Sequence, residues 1–230
     1  MITKKLSLGL ATLLLALMSS NASATVIYNN GSPNLTLGTG ANDANSAGAP
    51  QSADNFQLLP GANTITDLHW FGGYRFDNAT PPTDDFTLRF FRDSSGTPQT
   101  TPFLAFAVGN VGRTLIGVNV LGQTIYQYSV SLIPTALETN TTYWLSIMNN
   151  SPNIEPFDDW VWQFTSNDGD RFAFRFSSQT DAWTVTQNSI EFAFNLTSDV
   201  PEPSTVLLLG SCLAVLGALG RIRRGRRDTA

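Results

Sequence analysis

The residues able to do chemistry are few. The chain holds one histidine, His69, and one cysteine, Cys212. His69 stands beside Trp70 with no partner fixed by spacing, so a nucleophile triad or a histidine-rich metal site has almost no material. Neither a G-x-S-x-G elbow nor a phosphate-cradling glycine loop is present. Cys212 lies in a C-terminal apolar stretch, so thiol catalysis and cysteine-ligated zinc are excluded from the rest of the chain. Carboxylates come in pairs: Asp84 with Asp85, Asp158 with Asp159, and Asp168 with Asp170. A glycosidase needs two carboxyl groups roughly 5 to 10 Å apart across the bond it cuts. Neighbours on a strand point to opposite faces, and nothing in the spacing selects one pair. The expectation is therefore a non-enzymatic protein, with a carbohydrate-active enzyme using an Asp pair as the alternative.

Two further groups of residues are candidates for binding. In Asn167-Asp168-Gly169-Asp170, oxygen side chains around a glycine turn can converge on a hard cation, which makes Asp168 and Asp170 the calcium candidates. The same four residues also read as a plain hairpin turn, and no other cofactor is expected. Sugars stack their C–H faces on aromatic rings, so exposed rings beside Asp and Asn can form a carbohydrate platform. Trp183, flanked by Asp181, Ala182 and Thr184, is the ring expected to be most exposed, and Trp70 and Tyr74 are further ligand candidates. Trp160, Trp162 and Phe164 share one face of a strand and read as core, as does Trp144 between Tyr143 and Leu145.

The elements that must position these residues are strands. No window between Thr25 and Asp199 keeps apolar residues at helical spacing for three turns, whereas alternation at period two is frequent. Phe172, Phe174 and Phe176 share one face, with Arg171, Ala173, Arg175 and Ser177 turned outward. Ile190, Phe192, Phe194 and Leu196 repeat the pattern, and so do Phe86, Leu88 and Phe90. Further strands are expected at Val26 to Tyr28, Asn55 to Leu59, Thr64 to Phe76 with a break at Gly72-Gly73, and Thr101 to Val108. Others fall at Leu115 to Val120, Thr124 to Leu132, Thr142 to Met148 and Trp160 to Thr165. Turn chemistry separates them at Pro60-Gly61, Asp93-Ser94-Ser95-Gly96 and Asn149-Asn150-Ser151-Pro152. Asn30 to Ser52, rich in Gly, Asn, Ala and Ser, reads as a long surface loop. Many short strands without helices predict an all-β fold, an antiparallel two-sheet sandwich of jelly-roll type.

Charge and the two ends set the surroundings. Residues 1–24 read as a signal peptide: Lys4 and Lys5, an apolar run from Leu6 to Met18, then a small-x-small site at Ala22-Ser23-Ala24 with cleavage after Ala24. Signal peptidase is the partner this implies. Residues 25–199 form the exported domain. Its cations are Arg75, Arg89, Arg92, Arg113, Arg171 and Arg175 against sixteen Asp and Glu, a balance of 6 − 16 = −10. Such a surface repels phosphate backbones, so nucleic-acid binding is excluded as a function. Residues 200–230 begin with Val200-Pro201-Glu202-Pro203-Ser204, whose prolines separate the domain from the apolar segment beyond them. That segment, from Thr205 to Leu219, reads as a membrane helix, and Arg221, Arg223, Arg224, Arg226 and Arg227 after it are expected to stay cytoplasmic. The domain would then face outward, with the inner membrane a partner at least transiently.

The Pro201-Glu202-Pro203 triplet, the short hydrophobic helix and the terminal arginine cluster together resemble the PEP-CTERM sorting signal of Gram-negative bacteria. That resemblance implies recognition by an exosortase, a membrane protease that cuts near the triplet, and hence a membrane-anchored precursor that reaches the cell surface or extracellular matrix. It also implies a biofilm and exopolysaccharide setting. A second resemblance concerns the domain itself. Ala53-Asp54-Asn55-Phe56, Ile65 to Tyr74, Asp85 to Phe90 and Tyr143-Trp144-Leu145-Ser146-Ile147 are similar to β-sandwich domains of secreted bacterial proteins without an assigned function. The expected role is a surface or matrix protein binding extracellular polysaccharide or neighbouring surface components, with a structural coat protein lacking a small ligand as a further alternative.

Overall fold

Period-two alternation becomes strands wherever one face can be buried against a second sheet. The computed structural model describes residues 24–38, 50–75, 83–150, 159–165, 171–176, 181–186 and 190–199. The strands in them are β1 (Thr25–Asn29), β2 (Pro33–Gly38), β3 (Gln51–Gln57), β4 (Thr64–Tyr74), β5 (Phe86–Arg92), β6 (Leu104–Gly109) and β7 (Thr114–Val118). They continue with β8 (Thr124–Ala136), β9 (Thr142–Asn149), β10 (Trp160–Thr165), β11 (Phe172–Arg175), β12 (Thr184–Val185) and β13 (Phe194–Ser198). Val26–Ser198 forms one compact unit.

The strands lie in two antiparallel sheets, giving the expected all-β sandwich. One sheet has seven strands in the order β1-β13-β4-β10-β2, with β8 on β4 and β7 on β8. The long β4 accepts β8 along one edge, while β13 pairs its Asp67–Trp70 part and β10 its Gly72–Tyr74 part along the other. The second sheet has six strands in the order β12-β11-β3-β9-β5-β6. The chain passes between sheets at most connections, the crossover habit of a jelly roll.

Between the sheets lies a core rich in rings. Trp70, Phe86, Tyr128 and Trp160 form one group, with centroids 4.8 Å apart for Phe86 and Tyr128 and 5.2 Å for Phe86 and Trp160. Trp162 stacks on Phe192 at 4.5 Å and also meets Phe194, which with Phe90 and Tyr143 surrounds Phe56 in the same buried cluster. The glycine pair Gly72-Gly73 is not a break in β4. A Cβ on Gly72 would overlap the Trp160 ring, and one on Gly73 would overlap the Thr124 carbonyl, so these glycines let β10 and β8 pack closely on an unbroken strand.

Two other expectations are corrected. Pro33–Gly38, within the stretch read as a loop, is β2 and pairs with β10. Its proline stands at the strand's first residue and the strand lies at the sheet's edge, where a missing N–H is tolerated. Phe172, Phe174 and Phe176 do not share a buried face to the end: Phe172 is buried, Phe174 is half-buried and Phe176 is exposed, whereas Ala173 and Arg175, expected outward, are buried.

Candidate functional site

All five tryptophans are buried. Trp70 and Tyr74 point from β4 into the core, so neither offers a ring face to a sugar. Trp183, expected to be the most exposed ring, is 8% exposed. Its indole Nε1 donates to the Gln99 carbonyl at 3.1 Å, its ring meets Phe91 edge-on at 5.3 Å, and the Arg175 guanidinium lies 4.2 Å from its centroid. The polar neighbours that suggest exposure in the sequence are short groups beside a ring that folds back onto the sheet. The aromatic platform is thus absent among the described residues.

The buried carboxylates Asp54 and Asp84 are engaged by the protein itself. Asp84 is buried two residues before β5, while its neighbour Asp85 is exposed, the alternation of extended backbone. Asp159 lies 3.9 Å from Arg75, too far for more than a weak ion pair. Asp54, which nothing in the sequence marks as a site, is fully buried in β3 and joins three segments. It accepts hydrogen bonds from Asn30 Nδ2 at 2.9 Å, from the Phe192 amide at 2.6 Å and from the Asn55 amide at 2.9 Å. His69 is half-buried between Asn195 and Ser129 on the side of β4 away from the core. Asp158 and the calcium candidates Asp168 and Asp170 lie outside the described residues, as do Ala22, the Pro201-Glu202-Pro203 triplet, the 205–219 stretch and the five terminal arginines. Ala24 is described and exposed. Among the described residues no group of three or more His, Cys, Asp or Glu converges on a metal position, and no helix is long and apolar enough to cross a membrane.

Two polar clusters do come together, and they differ in construction. The first closes one end of the sandwich. Asp84 Oδ1 accepts from the Tyr74 hydroxyl at 2.5 Å and from Asn149 Nδ2 at 3.3 Å, while Oδ2 lies 3.5 Å from Arg113 Nη1. Asn149 also accepts from the Asp85 amide at 2.9 Å. The Arg113 guanidinium sits 5.0 Å from the Tyr126 ring and 5.6 Å from the Tyr74 ring. Burial pushes the Asp84 carboxyl above the usual carboxylate range, although Tyr74, Arg113 and Asn149 all act in the opposite direction. Burial likewise lifts the Tyr128 phenol well above its ordinary value. The neighbours of Asp84 are a phenol, an amide and a guanidinium rather than a second carboxylate. This is the chemistry of a clamp between β4, β5 and β9, with a proton held more readily than in water.

The second cluster lies on the outer face of the six-stranded sheet. Ala53, Phe91, Trp144, Ala173 and Trp183 make a small apolar group there, separate from the core. Arg175 is buried within it, its Nε donating to Gln51 Oε1 at 2.7 Å and its Nη1 to the carbonyls of Thr100 at 3.0 Å and Asp181 at 3.4 Å. Gln51 Nε2 continues to Ser146 Oγ at 2.9 Å. Trp144 Nε1 donates to Asp93 Oδ1 at 2.8 Å, and Arg171 lies over the Trp144 ring at 6.0 Å. Segments on either side of the sheet, around residues Asp93–Thr100 and Asp181–Trp183, supply the covering groups. Only the position of Arg171 and Arg175 on one strand face is visible in the sequence; the cover comes from residues distant along the chain.

Residues 199–227 match the PEP-CTERM protein-sorting motif. A motif of this kind is a substrate signal for exosortase processing and marks an exported protein with a membrane-anchored precursor and a surface-associated product. The chain has no match among curated proteins. Among solved structures it is similar to the cysteine protease and lectin-like domains of Cwp84, a surface layer associated protein of Clostridium difficile. That likeness has 8% identity and a TM-score of 0.42, and covers 64% of this chain and 31% of the other. The clostridial cysteine protease Cwp84 after propeptide cleavage is similar at 10% identity and a TM-score of 0.36, over 64% of this chain and 35% of the other. The chain thus matches about a third of the length of these structures.

Proposed function

We propose that this exported protein displays its sandwich at the cell surface or in the extracellular matrix as a non-catalytic domain that contacts extracellular polysaccharide through polar groups rather than aromatic stacking. The observation that carries this reading is the junction between fold and sorting motif. The matched motif starts at residue 199, and β13 ends at Ser198. β13 is an interior strand, flanked by β1 and β4 and paired with β4 from Phe194 to Thr197. A pull on the chain through the sorted end therefore loads a strand held by neighbours on both sides, which suits a tethered domain.

The engagement of Asp54 and Asp84 in the fold supports a non-catalytic role. Burial of every tryptophan moves the expected contacts from rings to charged and amide side chains. A lateral coat role is the second reading, and a specific feature favours it: Val120 is 72% exposed and Ile133 78%, with Leu115, Val118 and Leu121 also exposed on the β7–β8 hairpin.

The test pairs location with binding. Replacing Pro201 and Pro203 by Ala in the full chain is expected to retain the precursor in the membrane fraction and to remove surface-accessible protein, read by fractionation and whole-cell immunodetection. Unchanged size and location would overturn the sorting part. Titration of the full chain with the producer's own extracellular polysaccharide is expected to give saturable binding; no heat and no shift in Tm would leave the coat reading.

A further inference from the structure

We propose that Arg89 and Arg175, on the outer face of the six-stranded sheet, form a site for the carboxylate groups of an acidic polysaccharide, a polyuronate. This deepens the polysaccharide-binding reading and rests on it.

The placement of charge is the first argument. Of the six cations between residues 25 and 199, in a segment of balance 6 − 16 = −10, Arg89, Arg171 and Arg175 all alternate onto this one face. Arg89 stands on β5 opposite Ser146 of β9 and Ala105 of β6. Arg175 stands on β11 opposite Gln51 of β3. The Gln51 amide bonds both Arg175 and Ser146, so a polar row runs from Arg175 to the residue facing Arg89. Two carboxylates approach this face. Asp93 is held by Trp144 Nε1 and the Gly96 amide, and Asp181 lies beside Arg175. Among the described residues this face carries three guanidinium groups against these two carboxylates.

Unspent hydrogen-bonding capacity is the second argument. Arg89 Nη1 is buried and has no acceptor among the described residues. A buried charged donor without a partner is costly, and a fold that keeps one on a strand beside the sheet edge has reason to keep it for an incoming acceptor. Arg175 is fixed by stacking on Trp183 and by bonds through Nε and Nη1; its Nη2 makes none among the described residues. Burial lowers the pKa of both guanidinium groups, Arg175 to about 10, with the charge of Arg89 adding to the effect and Asp181 opposing it. Both remain cationic at neutral pH, and the charge of Arg89 disfavours that of Arg175. A bound anion would relieve that repulsion.

Access and ligand geometry are set by the sheet edge. β6 is the last strand of the sheet, and the residues it places beside Arg89 and Thr87 are Ala105 and Ala107, both exposed. On this face β6 thus sets only small side chains between Arg89 and the sheet edge, the side from which an acceptor would reach it. A planar carboxylate matches a guanidinium through two parallel hydrogen bonds, which a neutral sugar hydroxyl cannot do.

The test uses the full-length chain in detergent, titrated with polygalacturonate and with neutral dextran. The wild type is expected to bind polygalacturonate at least tenfold more tightly than dextran and to lose affinity as salt rises. Arg89→Gln is expected to weaken polygalacturonate binding at least tenfold and Arg89→Lys less, while Ala105→Glu, which leaves both arginines in place, weakens it by a similar factor to Arg89→Gln. Melting temperature of each variant verifies the fold. Equal polygalacturonate binding by wild type, Arg89→Gln and Ala105→Glu would overturn the site. If dextran binds as well as polygalacturonate and neither substitution matters, the polysaccharide reading stands and this site falls; if neither polymer binds, this site falls, and the polysaccharide reading is decided by titration with the producer's own polymer.

Discussion

The six-stranded sheet has two faces made on different principles. Its inner face meets the other sheet through Phe56, Leu88, Phe90, Tyr143, Leu145 and Phe172, almost wholly apolar. Its outer face is covered only in part, and around Arg175 that cover is mixed: a tryptophan, two carbonyls and an amide hold one guanidinium. A face packed against a whole sheet is held by area alone and can be apolar throughout. A face covered by returning segments needs directional bonds to fix them, so polar groups stand under the cover rather than apolar ones alone.

Substitutions can break this comparison. Trp70→Ala is expected to have the largest effect, about 3–5 kcal/mol by the behaviour of buried aromatic truncations, seen as a large fall in the urea midpoint. Trp183→Ala removes the contact with Phe91 and the stacking on Arg175, and should cost less, on the order of 2 kcal/mol. Equal losses would mean that the outer cluster is as structural as the core.

Next in size is a pH effect at the end clamp. The Asp84 carboxyl is raised above its ordinary 3.8 by burial, so the folded state takes up this proton at higher pH than the unfolded chain. The contribution of Asp84 therefore becomes more stabilising as pH falls through its folded pKa, is complete below 3.8, and is lost as pH rises again. In Asp84→Asn this acid-side gain is expected to vanish, measured as the difference in Tm between variant and wild type across mildly acidic pH.

The smallest effect is the sharpest for the comparison. Arg89→Gln removes a charge whose Nη1 lacks an acceptor, so stability is expected to stay within about 0.5 kcal/mol or to rise. A large loss would make Arg89 part of the scaffold.

The same contrast decides which parts of the molecule are legible in the sequence. The alternation of Phe86, Leu88 and Phe90, and of Phe192, Phe194 and Leu196, foretells the inner faces because a sheet-on-sheet contact imposes period two. The same rule misplaces Ala173 and Arg175, since it assigns the opposite face to solvent and holds no information on segments that return to cover it. Trp183 fails for that reason: its local neighbours are polar, but its partners Phe91, Gln99 and Arg175 are remote in sequence or act through the backbone. β2 is hidden by a proline and glycines that are permitted only because the strand is at an edge. The Asp84 clamp is half visible, since Asp84-Asp85 stands out as a pair, yet Tyr74 of β4, Arg113 just before β7 and Asn149 of β9 are joined to it only by the fold.

Amide hydrogen exchange on the full-length chain, with and without polygalacturonate, tests most directly whether the outer face is the binding face. Added protection is expected at Gln99–Gly109 and Asp181–Thr186, around the edge beside Arg89 and the cover over Arg175, with the β7–β8 hairpin unchanged. Protection confined to Leu115–Leu121, with none at those two segments, would contradict the account and place the contact on the exposed apolar hairpin instead.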